Sequence, residues 1–348
     1  MLDIHMFSSA DKVAGQGVGA VYTELIALLR KYFPSEFKIS INKYSPSLVS
    51  HYHTIDPAFF ASTFSKRRGQ KIGYVHFLPD TLDQSLRLPG VARWTLDKYT
   101  IAFYQRMDRL VVVNPNFIPK MAAYGIDPRK VTFIPNFVSR ETFYPATAEQ
   151  KKMLRKKHGV NQDAFVVFGA GQVQDRKGVD DFIELAKRNP QMQFIWAGGF
   201  SFGMITNGYD HLKGEVENAP SNLNFTGIVP RDEMVDYYNI ADVFLLPSFD
   251  ELFPMSVLEA FSTATPVMVR DLALYDDIIA PYAMMAKDQA AMGVGLRALK
   301  ADTALRAEYT DKAEQAAATY SEARLARVWH DFYLAQAKSG QIADEPRK

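Results

Sequence analysis

At 348 residues the chain is too long for one ordinary hydrophobic core, so two domains are expected. It is 47% hydrophobic and 13% aromatic and has no cysteine, which excludes disulfides, thiolate metal sites and cysteine nucleophiles. The net charge of +1 hides a split: residues 1–157 carry 23 Lys/Arg against 12 Asp/Glu, a net +11, and the remainder 17 against 27, a net −10. A basic first half suits an anionic partner, either a membrane surface or a nucleic acid.

The start, Leu2–Ser8, is too short and too polar to read as a signal peptide. No run approaches the ~18 apolar residues of a membrane span. In chain order, strands are predicted at Leu2–Phe7, Phe37–Ile41, Lys71–Phe77, Arg109–Val113 and Lys130–Ile134, with helices at Gly19–Phe33 and Arg93–Met107. After a basic connector, Lys151–His158, the alternation restarts. Strands are expected at Ala164–Gly169, Gln193–Ala197, Leu223–Thr226, Val243–Leu246 and Val267–Val269. Helices are expected at Val179–Arg188, Glu233–Ile240 and Met255–Ser262. Two such series predict an α/β protein of two Rossmann-like domains facing a cleft, over 1–150 and 151–325. The segment Asp302–Ala337 reads as helix, and 326–348 is expected to return to the first domain.

The first strand leads into Ser8–Ala20, where Gly15-x-Gly17-x-x-Ala20 matches a dinucleotide-binding pattern. The turn is not tight against the strand, however, and the second strand ends at Asn42-Lys43 without an acid. A glycine loop whose amides face a phosphate at a helix N-terminus fits better, with a plain turn as the alternative. In the second series, Phe168–Val179 places glycines, Arg176 and Lys177 at a helix start. Two fixed cations there suit a diphosphate leaving group; solvated surface charges are the alternative, favoured for this motif alone but not beside Glu251 and Glu259. His76 closes an apolar strand, where a neutral imidazole can meet a sugar hydroxyl; a packed core histidine is the alternative. His51 and His53 have no third ligand at metal spacing, so they are read as loop residues and no metal site is expected.

Glu251 and Glu259 lie in Pro247–Phe261, the first in a loop and the second in the helix that Pro254 is expected to open. At 1.5 Å rise per residue they stand roughly 10–12 Å apart. Catalytic carboxylates of hydrolases face one bond at about 5–10 Å. This local pair better suits the vicinal diols of a hexose and a ribose; a helix cap at Glu251 and a surface helix residue at Glu259 are the alternative, and taken alone the stronger one.

Taken together, the residues resemble the retaining GT-B glycosyltransferases of family 4. The motifs are Val131–Val138 with Phe143-Tyr-Pro145, Arg176-Lys177-Gly178, Asn224–Gly227, Ala241–Ser248, the two glutamates and Thr265-Pro-Val267. The resemblance implies a UDP-hexose donor held mainly by the second domain, with no cofactor and no metal. It implies that Glu251 contacts the hexose and Glu259 the ribose. The backbone of Phe253, Pro254 and Met255, with Ser256, would lie by the sugar and phosphates. Lys177 and Arg176 would neutralise the diphosphate, Ile228 would meet the base, Gly17 would approach the phosphates and His76 would face the hexose. Where the family usually carries arginine this chain has Gln172, which shifts weight onto Arg176. Pro254 and Thr265 stand where the family pattern has glycines.

The opening Ser9–Gly19 segment is similar to that of bacterial enzymes that extend glycosyl-diacylglycerols. The basic loop with Lys66, Arg67 and Arg68, and the basic-apolar stretch with Arg87, Arg93 and Trp94, suit an anionic membrane surface. The expectation is a cytoplasmic enzyme, peripheral on the inner face of the cell membrane, moving an α-hexose (glucose or galactose) onto a glycolipid. A soluble or polysaccharide acceptor is the alternative. A nucleic-acid-binding protein and an NAD-dependent enzyme rank lower. The chain carries no base-reading motif and its acidic half would repel a duplex.

Overall fold

The computed structural model describes residues 1–10, 17–76, 78–79, 90–200 and 208–344. They divide into two compact units: unit 1 holds the described residues up to 79, 90–137 and 322–344, and unit 2 holds 138–321. The division falls between Phe137 and Val138, whereas the sequence reading placed it at 150/151.

Unit 1 is built on β1 (Leu2–Phe7), β2 (Phe37–Ile41), β3 (Val49–Tyr52), β4 (Gln70–Val75), β5 (Arg109–Val112) and β6 (Val131–Phe133). All pair in parallel, in the order β2-β1-β3-β4-β5-β6. Its helices are α1 (Gly17–Tyr32), α2 (Pro57–Ser62), α3 (Gly90–Gln105) and α4 (Phe117–Ala123), joined by the last helix of the chain, α12 (Glu322–Asp344). As the sequence predicted, the C-terminal helix returns to the first unit. It packs on α1, β3 and β4 and buries Trp329 and Tyr333 there.

In unit 2, β7 (Val166–Ala170), β8 (Gln193–Ala197), β9 (Leu223–Gly227), β10 (Val243–Leu246), β11 (Val267–Arg270) and β12 (Met284–Ala286) form a second parallel sheet, ordered β12-β11-β10-β7-β8-β9. The helices are α5 (Ala148–Lys157), α6 (Val179–Arg188), α7 (Tyr209–Glu217), α8 (Met234–Ile240), α9 (Met255–Ser262), α10 (Gln289–Ala301) and α11 (Thr303–Thr319). The central strands Val-Val-Phe-Gly-Ala and Val-Phe-Leu-Leu are buried along their whole length. That is what a parallel sheet covered on both faces requires. Gly169 is dictated by the same packing, since a Cβ there would overlap Trp196 and Phe182.

The strand order positions the site. β8 and β9 follow β7 to one side, and β10 returns to its other side. The segments leaving the carboxyl ends of β7 and β10 therefore flank a topological switch point, where open α/β sheets take ligands. In unit 1 the switch lies at β1 and β3.

Among the segments that differ from expectation, two are read from the sequence as something else. Residues 151–158, read as a connector, belong mostly to α5. A capping box between Thr147 and Gln150 starts this helix, and its buried Arg155 donates to the carbonyls of Ile240, Gln162 and Ala164 and pairs with Asp242 at 2.8 Å. His51 is not a loop residue either. It lies on β3, whose sequence Val-Ser-His-Tyr carries no apolar alternation because all four side chains are buried.

Candidate active site

Residues 247–254, between β10 and α9, have no regular secondary structure, yet Glu251 within them is only 6% exposed. Its carboxylate forms an ion pair with Lys177, and Arg176 Nη1 stands 3.7 Å from its second oxygen. Burial works against the charged carboxylate, but Lys177 and then Arg176 outweigh it and hold the carboxyl below its ordinary range. Burial also draws the Lys177 ammonium down, opposed by Glu251. Gly178, which follows in the left-handed region at φ 68°, caps α6. A Cβ at this position would overlap the Pro247 carbonyl. Arg176 and Lys177, which the sequence singled out as a pair, and Glu251, from a separate motif, are thus one cluster at the switch point.

Glu259, on α9, belongs to a second cluster. It is 5% exposed, takes a 2.6 Å ion pair from Arg231 and accepts a 2.7 Å hydrogen bond from the Tyr238 hydroxyl. Burial, then the Glu259 charge, pushes that hydroxyl well above its ordinary pKa, so it remains a donor. Helix α9 begins at Met255. Pro254 is its capping residue with extended backbone, one position earlier than expected. Phe253 is buried against Tyr320, Met255 is buried and Ser256 half-buried. Gln172 accepts from Gln174 at 2.7 Å. Ile228 is half exposed after the left-handed Gly227. At the far end of α9 the left-handed residue is Ala264, φ 56°. The position that favours glycine is therefore 264. Thr265, where the sequence reading put a replaced glycine, instead donates to the Tyr238 carbonyl at 3.0 Å.

In unit 1, His76 is buried and lies flat on Tyr74, with centroids 4.2 Å apart and planes at 4°. Its Nε2 is 3.3 Å from His53 Nδ1, and His51 Nδ1 is 2.7 Å from the Tyr333 hydroxyl of α12. Burial draws both His76 and His51 down to about 3, the latter with help from His76, and draws His53 well below its ordinary value. All three are neutral at neutral pH. Gly17 is the first residue of α1, and Gly15 lies outside the described residues. The close approach here belongs to Gly19, where a Cβ would stand 3.1 Å from the Ala10 carbonyl oxygen.

The basic residues assigned to a membrane face separate into two kinds. Lys66 and Arg67 are exposed. Arg68 is not: it is buried, donates to the carbonyls of Lys43, Tyr44 and Ser45, and lies over the rings of Phe7 and Tyr44. It holds a loop together and faces no partner. On α3, Arg93 is exposed beside Val91 (81%) and Trp94 (62%). Phe64 (61%) stands out in the same unit with Arg106 over its ring at 4.1 Å. Arg87 lies outside the described residues. No helix among the described residues is long and apolar enough to cross a membrane.

Sequence reasoning missed Arg231, Tyr238 and Arg270, and read His53 only as a loop residue. Each acts on a residue far away in the chain, and only the fold brings them together.

Two parallel six-stranded sheets with these switch points define the GT-B class. Solved GT-B structures superpose over nearly the whole chain. Sucrose-phosphate synthase from Thermosynechococcus elongatus matches with a TM-score of 0.79, 15% identity and coverage of 97% of this chain and 100% of that one. Anabaena HepE, solved with UDP and glucose, matches with 0.77, 13% identity and coverage of 96% and 99%. Residues 12–142 match the model of "Glycosyltransferase Family 4" and residues 150–316 that of "Glycosyl transferases group 1". The alpha-galactosylglucosyldiacylglycerol synthase of Streptococcus pneumoniae (strain ATCC BAA-255 / R6) is 47% identical over 341 residues, covering 98% of this chain and 91% of its own. The chain belongs to glycosyltransferase family 4 and is a retaining hexosyltransferase. That membership sets aside the dinucleotide and nucleic-acid readings.

Proposed function

We propose that the enzyme transfers an α-hexose from a UDP-hexose to a glycosyl-diacylglycerol at an anionic membrane surface. The observation that carries this is the gathering of Glu251, Lys177 and Arg176 at the switch point of unit 2. A buried carboxylate kept charged by two cations suits a hexose hydroxyl lying next to a diphosphate. In this reading Glu251 accepts from the sugar, Lys177 and Arg176 take up the charge that develops on the leaving phosphate, and Glu259 accepts from the ribose diol. Phe253, Pro254, Met255 and Ser256 line the sugar and phosphates by their place at the start of α9, while Ile228 meets the base. His76 is assigned a hexose hydroxyl, and Gly17 the phosphates.

Retention follows from attack on the face the phosphate leaves. The anomeric carbon–oxygen bond to phosphate breaks, the acceptor hydroxyl oxygen bonds on the same side, and its proton passes to the departing phosphate oxygen. No protein nucleophile is required. The activity for which the pneumococcal relative is named supports a glycolipid acceptor and favours galactose placed on a glucosyl-diacylglycerol. The exposed Val91, Arg93 and Trp94, with Lys66 and Arg67, support attachment to the inner face of the cell membrane without a span.

The test offers UDP-glucose and UDP-galactose to the enzyme with glucosyl-diacylglycerol in anionic vesicles, followed by mass spectrometry and by NMR of the new anomeric centre. An α-linked dihexosyl lipid is expected, formed far more slowly but still measurably with Glu251→Gln. Transfer to soluble sugars and none to the lipid overturns the acceptor assignment.

A further inference from the structure

Glu251 is buried in a segment with no helix or strand of its own to fix it. Outside contacts supply the fixing. The Phe249 amide donates to the Arg176 carbonyl at 2.8 Å, and Arg176 Nη1 donates back to the Asp250 carbonyl at 3.1 Å. Gly178 leaves room for the Pro247 carbonyl. That same carbonyl accepts from Arg270 Nε at 3.0 Å. Arg270 ends β11, is buried, pairs with Asp181 of α6, and places its guanidinium carbon 3.9 Å from the centroid of the Phe249 ring.

We propose that Arg270 is a positioning residue for Glu251: its planar guanidinium clamps both the carbonyl of Pro247 and the ring of Phe249, and so sets the course of the segment that presents the carboxylate. The proposal rests on the reading of Glu251 as a hexose contact. One guanidinium performs three tasks here: it donates to a carbonyl, pairs with a carboxylate and lies over a ring. A lysine ammonium is a point charge that cannot do all three. A buried ion pair is itself a weak source of stability, because desolvation offsets the attraction. The Arg270–Asp181 pair is therefore better explained by what it holds in place than by what it adds to the core.

The experiment is a double-mutant cycle on UDP-hexose turnover, with UDP affinity and thermal stability measured on the same proteins. Arg270→Met and Arg270→Lys are each expected to lower kcat by about 100-fold, the scale of a 1 Å misplacement, and to leave UDP affinity unchanged. In a Glu251→Gln background, Arg270→Met is expected to cost nothing further, because the group it positions is already disabled. A purely structural arginine would lower activity by the same factor in both backgrounds, and that result overturns the proposal. So does wild-type kcat in Arg270→Met. Should Arg270→Met not fold, Phe249→Ala removes one clamped group and is run through the same cycle with the same expected non-additivity. Wild-type activity in Glu251→Gln alone would instead overturn the reading of Glu251 itself.

Discussion

Arg231 Nη1 lies 2.6 Å from Glu259 Oε1, and the Tyr238 hydroxyl holds the other oxygen of that carboxylate. A carboxylate offers about four lone-pair sites, so two partners leave room for two more donors, the number a ribose diol supplies. The charge of Glu259 is thus held in place before any ligand arrives.

Glu259→Gln keeps the shape and loses the charge. UDP affinity is expected to fall about tenfold, or about 1.4 kcal/mol, by isothermal titration calorimetry. An unchanged Kd would show that the ribose is read elsewhere.

The surface of unit 1 predicts a division among neighbouring arginines and lysines. Lys66→Gln with Arg67→Gln is expected to weaken sedimentation with anionic vesicles by about 2 kcal/mol at low salt, at about 1 kcal/mol per basic residue. The effect should fade as salt rises. Trp94→Ala should weaken binding at any salt. Arg68→Gln should leave vesicle binding alone and lower the melting temperature instead, because three carbonyls lose their donor. Equal vesicle binding by all these variants and the wild type would remove the membrane face from α3 and its neighbours.

Acid sensitivity follows from the buried histidines. His51 and His76 sit at about 3 and His53 well below its ordinary value, each first because of burial. Their unfolded value is about 6.5. Below that pH the unfolded chain takes up protons that the folded one refuses, so stability falls as pH drops from about 6.5 towards 3 and is flat above. Each histidine contributes a slope approaching about 1.4 kcal/mol per pH unit. His330 pulls the other way. Its bond to Glu36 at 2.9 Å raises its pKa, a contribution present at low pH and lost as pH rises through the raised value. Urea midpoints between pH 8 and 5 should show the net fall, and His53→Leu should reduce its slope by about one proton. An unchanged slope in that variant would mean His53 is protonated in the folded state.

Ala264 offers a simple gain. A non-glycine residue at φ 56° carries strain of about 1–2 kcal/mol. Ala264→Gly relieves it at an entropy cost of about 0.5–1 kcal/mol. A net stabilisation of about 0.5–1 kcal/mol is expected from chemical denaturation. A lower midpoint would show that the methyl group is needed in the packing below α9.

What the sequence made legible was local. Strands such as Val243–Leu246 announce themselves as unbroken apolar runs, and Glu251 and Glu259 stand in one continuous segment with a Pro-Ser turn before it. Val49–Tyr52 was hidden because a buried strand with a serine and a histidine looks like a loop. Lys151–His158 was hidden because its charges suggest solvent, although Arg155 is buried among carbonyls. Arg231 reaches Glu259 across 28 residues and Arg270 reaches Pro247 across 23. No periodicity connects such positions; only the strand order does. Even so, both glutamates and both cations stand out in the sequence by residue type and spacing, and the structure gathers Glu251, Lys177 and Arg176 into one cluster.

The return of α12 to unit 1 has a consequence for how the protein is made. Tyr333 supplies the hydroxyl next to His51, and Trp329 fills the space beside Tyr74. Neither exists until the whole of unit 2 has been synthesised. The described residues of unit 2 all fall between Val138 and Ser321, so this unit can close as it leaves the ribosome, domains generally folding as units in order of synthesis. Unit 1 must wait with a gap over β3 and β4, exposing buried aromatic surface to solvent and to chaperones. The half that is begun first is completed only after unit 2, so removal of α12 will be felt by the N-terminal strands.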